Sequence, residues 1–138
     1  MQKFIYLLSL VFIVISCQEE GQLTRTTDST LINSSAVLKY YGDFSPTSGI
    51  AVTGKAKIYL ENGHYKVVLE NFTISEGPDL KVYLSKAATP YQFINLGNLT
   101  SQTVYAIPDG VDVSTYTHVL IHCQEFNHLF AIAPLTQN

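Results

Sequence analysis

The 138-residue chain is poor in cysteine, with only two, and poor in basic residues, with eight Lys and Arg against eleven Asp and Glu. With Cys17 near the N-terminus and Cys123 near the C-terminus, the sequence shows no disulfide framework. The basic residues form no cluster, so the electrostatic footprint of a nucleic-acid-binding protein is missing. We therefore predict no nucleic-acid partner.

The chain also lacks an apolar run long enough to cross a membrane as a helix. The longest run, from Phe4 to Ile15, is apolar except for Ser9. About 20 residues are needed to cross roughly 30 Å of hydrocarbon. A shorter run at the N-terminus is typical of a secretory signal. We predict that residues 1–16 are a signal peptide and do not belong to the fold.

This segment ends in Val14-Ile15-Ser16-Cys17, which resembles the lipobox of bacterial lipoproteins. The resemblance implies that Cys17 becomes the first residue of the mature chain and is diacylated. Its acyl chains would hold the protein on a membrane, because each buried methylene contributes about 0.8 kcal/mol. Gln18, and not Asp, follows the cysteine, which suggests the outer membrane, and Gln18-Glu19-Glu20 resembles an acidic surface-export signal of bacterial lipoproteins. A plain secretory signal is the alternative.

The remaining chain divides into a polar part and a part with strong apolar patterning. Residues 17–35 are rich in Ser and Thr and cannot bury enough apolar area to fold alone. We predict that they form a disordered tether that begins with the lipidated Cys17. Residues 36–138 are enough for one domain with its own core.

Residues 36–138 lack a helical apolar stripe, but several segments alternate with the period of two that is typical of strands. The clearest is a hairpin around Asn62-Gly63, the preferred dipeptide of a two-residue type I′ turn. The buried pairs predicted outward from this turn are Leu60 with Tyr65, Ile58 with Val67 and Ala56 with Leu69. We predict an all-β fold, a single antiparallel sandwich or barrel-like domain of about seven to nine strands.

A series of short motifs runs through this domain from Gly42 to Leu135. In chain order they are Gly42-x-Phe44, Gly54-Lys55-Ala56, Asn71-Phe72, Gly77-Pro78-Asp79-Leu80, Val82-Tyr83-Leu84, Tyr105-x-Ile107-Pro108 and Cys123-x-x-Phe126-x-x-x-Phe130-x-x-Ala133-x-Leu135. In this order and spacing they resemble the DM-13 family, which is often described as an electron-transfer domain. The resemblance implies a β-sandwich outside the cytoplasm with a recurring cysteine, here Cys123, that is proposed to be redox-active. His122 stands where that family tends to have an aromatic residue.

Gly77, Pro78 and Asp79 form a candidate structural or ligand-binding turn. Pro fixes φ near −65° and Gly permits unusual backbone angles, so a tight turn is predicted here. We expect the Asp79 carboxylate to hydrogen-bond nearby backbone amides. Binding of a ligand or a cation is the alternative.

Cys123 lies on a segment whose alternation separates two faces. The alternation places Val119, Ile121 and Cys123 on one face and His118, Leu120 and His122 on the other. Cys123 would then be a small apolar side chain packed beside Phe126 and Phe130. A redox thiol is the second interpretation, and it requires access and a lowered pKa.

A copper ligand is the third interpretation of Cys123. The spacing Cys123-x4-His128 is that of an azurin-type ligand loop, and His64 would supply the third ligand. Ile132 stands where the usual weak axial Met would fall. The preferred interpretation of the sequence includes no metal and no cofactor.

The sequence contains no motif of a known enzyme class, such as a nucleophile elbow, a zinc-protease helix or a phosphate loop. We predict that the protein is not an enzyme. It is expected to be an envelope-anchored module for binding or accessory electron transfer, with Cys123 as the candidate redox residue. Its partners would be the membrane, through the lipid, and an envelope redox or binding protein. The alternative is a copper carrier that uses His64, Cys123 and His128.

Overall fold

A computed structural model describes residues 32–138 of the chain. The predicted signal peptide, the predicted lipidation site Cys17 and most of the predicted tether lie outside the described residues. The strands are β1 Val37–Asp43, β2 Ser45–Pro46, β3 Val52–Glu61, β4 His64–Ile74, β5 Leu80–Ser85, β6 Ile94–Asn98, β7 Val104–Ala106, β8 His118–Cys123, β9 His128–Pro134 and β10 Thr136–Gln137. A single-turn 3-10 helix spans Val113–Thr115. Between residues 32 and 138, no helix is long and apolar enough to span a membrane.

The ten strands form two antiparallel sheets of five strands each, which enclose one core as a sandwich. The strand order is β10-β1-β3-β4-β7 in the first sheet and β2-β9-β8-β5-β6 in the second. The predicted all-β sandwich is confirmed. The strand count exceeds the predicted seven to nine because β2 and β10, with two residues each, are too short to leave a pattern in the sequence.

The hairpin of β3 and β4 has the predicted turn and the predicted register. Asn62 and Gly63 both have positive φ, at 50° and 80°, as a type I′ turn requires. The cross-strand partners are Leu60 with Tyr65, Ile58 with Val67 and Ala56 with Leu69. The last two pairs are fully buried between the sheets, so the alternation had identified the inner face correctly.

Two glycines allow the backbone to pass where a side chain would not fit. A Cβ at Gly42 would lie 1.9 Å from the carbonyl oxygen of Pro134, so β1 passes directly against β9 of the other sheet. Gly54 has a φ of 105° at a β-bulge in β3, and a Cβ there would lie 2.6 Å from the Glu70 oxygen.

The outer face of the second sheet is partly covered by the segment that follows β5, whereas many antiparallel sheets have one face open to solvent. Ser85, the last residue of β5, holds the following segment with its hydroxyl, which donates to the Thr89 oxygen at 2.8 Å and accepts from the Tyr91 amide at 3.2 Å. Residues 86–93 therefore turn back over β5, and Tyr83 and Leu120 are buried although they face away from the core.

The sandwich has two distinct ends along β4. The hairpin end contains Asn62, Gly63 and His64. The thiol end contains Ile74 and the start of β5 at Leu80, whose partner across the sheet is Cys123. The 11 residues of β4 separate these ends by on the order of 30 Å, at about 3.3 Å per residue.

Candidate functional site

Cys123 is the last residue of β8 and lies at the thiol end. Its side chain is fully buried in the common core, where Val119 and Ile121 also point, so the predicted inward face of β8 is confirmed. Its partners in the neighbouring strands are Leu80 and His128. Within residues 32–138, Cys123 is the one cysteine, and it is free.

The two phenylalanines predicted beside the thiol have different surroundings. Phe130 is buried in the same core as Cys123, but Phe126 is 68% exposed, so that part of the prediction is wrong. The reason is the tight β8–β9 turn, in which Asn127 has a φ of 46° and Phe126 points to solvent. A β-bulge in β9 pairs Ile121 with Ala131 but His122 with Leu129, which leaves Phe130 as the extra residue.

The predicted turn at Gly77, Pro78 and Asp79 closes the thiol end. The Asp79 carbonyl accepts a hydrogen bond from the Gln124 amide at 3.0 Å, which ties the turn to the residue after Cys123. The Asp79 carboxylate pairs with Lys81 Nζ at 2.7 Å and not with the backbone amides we expected. A Cβ at Gly77 would lie 3.0 Å from the Phe130 ring, so the turn packs directly on that ring.

A small cavity of about 160 Å³ opens beside this turn. Its lining residues are Ile74, Ser75, Glu76, Gly77, Leu80 and Leu99. Leu80 belongs both to this cavity and to the core around Cys123, so the cavity and the thiol are separated by about one layer of side chains.

The structure brings together only two of the three proposed copper ligands. His128 is the cross-strand neighbour of Cys123, and its exposed ring makes an edge contact with Phe130 at 5.3 Å between centroids. His64 lies at the hairpin end, with its Nδ1 2.7 Å from Asp109 Oδ1. Among the described residues, no three or more His, Cys, Asp or Glu side chains are grouped to hold a metal. The copper alternative therefore lacks its third ligand.

His64 and Asp109 line a second cavity, of about 410 Å³, at the hairpin end. Lys66 and Glu61, which pair with one another, also line it. The main-chain amide of Asn33 donates to the same Glu61 carboxylate at 2.9 Å, so the beginning of the described chain is fixed here. Lys66 and, to a smaller extent, the Asn33 amide lower the pKa of Glu61.

Three stacked rings on the outer side of the second sheet were missed by the sequence reasoning. This outer stack consists of Phe93, Tyr83 and His122. The ring centroids of Phe93 and Tyr83 are 4.2 Å apart with 18° between the planes, and those of Tyr83 and His122 are 5.3 Å apart with 27°. The signal was the run Val119-Leu120-Ile121, apolar at consecutive positions, which indicates a strand buried on both faces.

His122 is the unusual member of the outer stack. The ring faces away from Cys123, as predicted, but it is only 6% exposed. Nε2 lies 3.2 Å from Asn127 Oδ1, whereas the buried Nδ1 has no hydrogen-bond partner. Burial lowers the pKa of His122, and burial raises the pKa of the neighbouring Tyr83 phenol. Both shifts favour the uncharged ring.

Comparison with known proteins identifies the family. No curated protein and no solved structure matches the chain. The family model described as electron transfer DM13 matches residues 44–135. The matched segment is more than half of the chain and contains the Gly77–Asp79 turn, the outer stack and Cys123. The chain therefore belongs to the electron-transfer DM13 family.

Proposed function

We propose that the protein is a lipid-anchored, one-electron carrier of the cell envelope, with Cys123 as the residue that changes oxidation state. The observation that carries this proposal is a free, fully buried cysteine in a domain of an electron-transfer family. The protein would act as a carrier and not as an enzyme. Its partner would be an envelope protein with a metal centre that accepts one electron.

The burial of Cys123 favours one-electron transfer over thiol–disulfide exchange. Exchange requires a thiolate to touch a sulfur atom of the partner, and reactive cysteines of that kind are partly exposed. The Cys123 side chain has no exposed surface. An electron can leave a buried group without contact between that group and the acceptor, so burial permits this chemistry and protects the sulfur from further oxidation.

The proposed step conserves atoms and charge. The Cys123 thiol gives one electron to the oxidised metal centre of the partner, and the oxidation state of that metal falls by one. The thiol proton passes to the imidazole of His128, its neighbour across the hairpin. A neutral sulfur radical and an imidazolium result, and return of one electron and that proton restores the thiol.

The experiment is a titration of the full-length protein with a strong one-electron outer-sphere oxidant such as hexachloroiridate(IV). We expect one thiol to disappear in the wild-type protein, together with a sulfur-centred radical in the frozen-solution EPR spectrum. Cys123→Ser is the matched control because it retains Cys17. Equal oxidant consumption by both proteins would overturn the proposal and leave Cys123 as a side chain that only fills the core.

The lipid anchor is a separate part of the proposal, supported by the Val14–Cys17 motif. We expect the wild-type protein in the membrane fraction of a bacterial host, with the mass of a diacylated cysteine at its N-terminus. Cys17→Ala should appear without that mass and in the soluble fraction. Release of the wild-type protein into the soluble fraction, with no acyl mass, would contradict the anchor while leaving the redox role of Cys123 standing.

A further inference from the structure

We propose that the outer stack carries the electron between Cys123 and the protein surface, and that Tyr83 is oxidised transiently on the way. This inference rests on the proposed redox role of Cys123 and gives that buried sulfur a route to the solvent. The three rings of the stack lie outside the core in which the thiol is packed.

The geometry of the stack provides a continuous path. Its inner ring belongs to His122, which precedes Cys123 in the chain, so one peptide unit joins the stack to the residue that bears the thiol. The next ring, Tyr83, is 2% exposed, and the last ring, Phe93, is 42% exposed. The stack therefore begins beside Cys123 and ends in solvent.

The unpaired nitrogen of His122 is the observation that a purely structural stack does not explain. Buried polar atoms are almost always hydrogen-bonded, and each exception needs a reason. A leucine or phenylalanine could cover Tyr83 without leaving a nitrogen unpaired. Burial lowers the pKa of His122. Within the part of the chain that the structure describes, no acceptor lies at Nδ1 to stabilise a proton on that nitrogen, so nothing at Nδ1 favours the charged ring. A neutral ring beside Tyr83 does not oppose the positive charge that develops when the tyrosine loses an electron.

The relay is balanced in two steps. In the first, Tyr83 gives one electron to an outer-sphere acceptor at the Phe93 side, and its phenol proton passes to the Asp79 carboxylate. That carboxylate is paired with Lys81, and both charges act on the phenol. In the second, Cys123 gives one electron to the tyrosyl radical, its proton passes to His128, and Asp79 returns the phenol proton. The net result is a Cys123 radical, a protonated His128 and an acceptor reduced by one electron.

The test is flash photolysis of the full-length protein with a ruthenium polypyridyl photo-oxidant in solution. In the wild-type protein we expect a transient tyrosyl absorption that decays as the Cys123 thiol is oxidised. In Tyr83→Phe, which keeps the stacked ring, that transient should be lost and oxidation of Cys123 should slow by about tenfold, a modest rise in the activation barrier. Phe93→Leu should slow the first step but leave the decay of the tyrosyl signal unchanged.

Two control variants make the outcomes distinct. Tyr91→Phe removes a tyrosine that is exposed in the same covering segment but lies outside the stack, and it should behave like the wild-type protein. Cys123→Ser should prolong the tyrosyl signal because its electron donor is missing. If Tyr83→Phe, with an unchanged circular dichroism spectrum, oxidises Cys123 at the wild-type rate, the relay is overturned and the redox role of Cys123 stands. If the wild-type protein forms the Tyr83 radical but never oxidises Cys123, both are overturned.

Discussion

Gly42 lies so close to Pro134 that the two sheets of the sandwich touch at this point through main-chain atoms. A Cβ at Gly42 would lie 1.9 Å from the Pro134 oxygen and 2.8 Å from its carbonyl carbon, and neither atom can move without displacing β9. The motif Gly42-x-Phe44 thus marks a crossing between sheets, where the adjacent Phe44 packs edge-on against Phe72 in the core.

Substitution of Gly42 by alanine should therefore be severe. We expect Gly42→Ala to lower the free energy of unfolding by more than about 3 kcal/mol, beyond the usual range for overpacking, or to prevent folding. Gly63→Ala is the control. Gly63 lies in a tight turn with open space around it, so the substitution costs only the strain of a φ of 80°, about 1–2 kcal/mol. Urea unfolding measures both, and equal losses would contradict the close crossing.

The packing of Cys123 predicts an order of stability for two substitutions. Cys123→Ala removes one buried sulfur and should cost about 1 kcal/mol, similar to the loss of a buried methylene. Cys123→Ser keeps the volume more closely but buries a hydroxyl in an apolar core, which should cost about 1–3 kcal/mol. Urea unfolding should therefore rank serine below alanine. The reverse order would mean that the sulfur position is wet.

The buried ring of His122 predicts a loss of stability in mild acid. Burial lowers the pKa of His122 in the folded protein, so the unfolded chain takes up a proton first as the pH falls below the ordinary value of 6.5. The free energy of unfolding should thus decrease from pH 7.5 towards pH 5. His118, whose pKa burial also lowers, adds to this decrease.

His122→Phe should remove its share of that pH dependence and retain the stacked ring. The variant should also be more stable at neutral pH, by on the order of 1 kcal/mol, because it no longer buries an unpaired nitrogen. Urea unfolding between pH 5 and 8 measures both effects. His118→Phe is the companion variant and should remove the other part of the slope; an unchanged slope in His122→Phe would exclude His122 as its source.

The ion pair of Glu61 predicts that the free energy of unfolding also depends on pH in a more acidic range. Lys66 and the Asn33 amide lower the pKa of Glu61, so its contribution to stability is complete above the ordinary value of 4.5 and is lost as the pH falls through the depressed pKa. Glu61→Gln should be less stable than wild type at pH 7, and the difference should vanish in acid. Hydrogen exchange at the Asn33 amide should accelerate at pH 7. Glu70→Gln, which breaks the separate pair with Lys57, should leave that amide unchanged.

The sequence predicted those parts of the fold that depend on neighbours in the chain. The β3–β4 register follows from the Asn62-Gly63 turn and from alternation on both sides of it. The two-residue strands Ser45–Pro46 and Thr136–Gln137 carry no such pattern, because each exists only through its partner strand. Gly97, with a φ of 125°, interrupts the alternation of β6, so this strand has no regular pattern in the sequence.

The candidate site was likewise predictable only where it depends on the pattern within one strand. The alternation along β8 places Cys123 inward and His122 outward. It cannot show that residues 86–93 fold back and cover the outer face of the sheet. The bulge at Phe130 likewise depends on how β9 pairs with β8. Both features arise from contacts between a strand and the segment that follows it, so the pattern within one strand does not contain them.

The hydrogen bond from Asn33 to Glu61 has a consequence for how the domain is presented. It fixes the first described residues at the hairpin end. Any group attached to the chain before Asn33 is therefore joined to the domain at the end remote from Cys123. The long strand β4 then acts as a rigid spacer. The exposed side chains of Phe126 and His128, near Cys123, therefore lie at the end of the sandwich that is remote from Asn33.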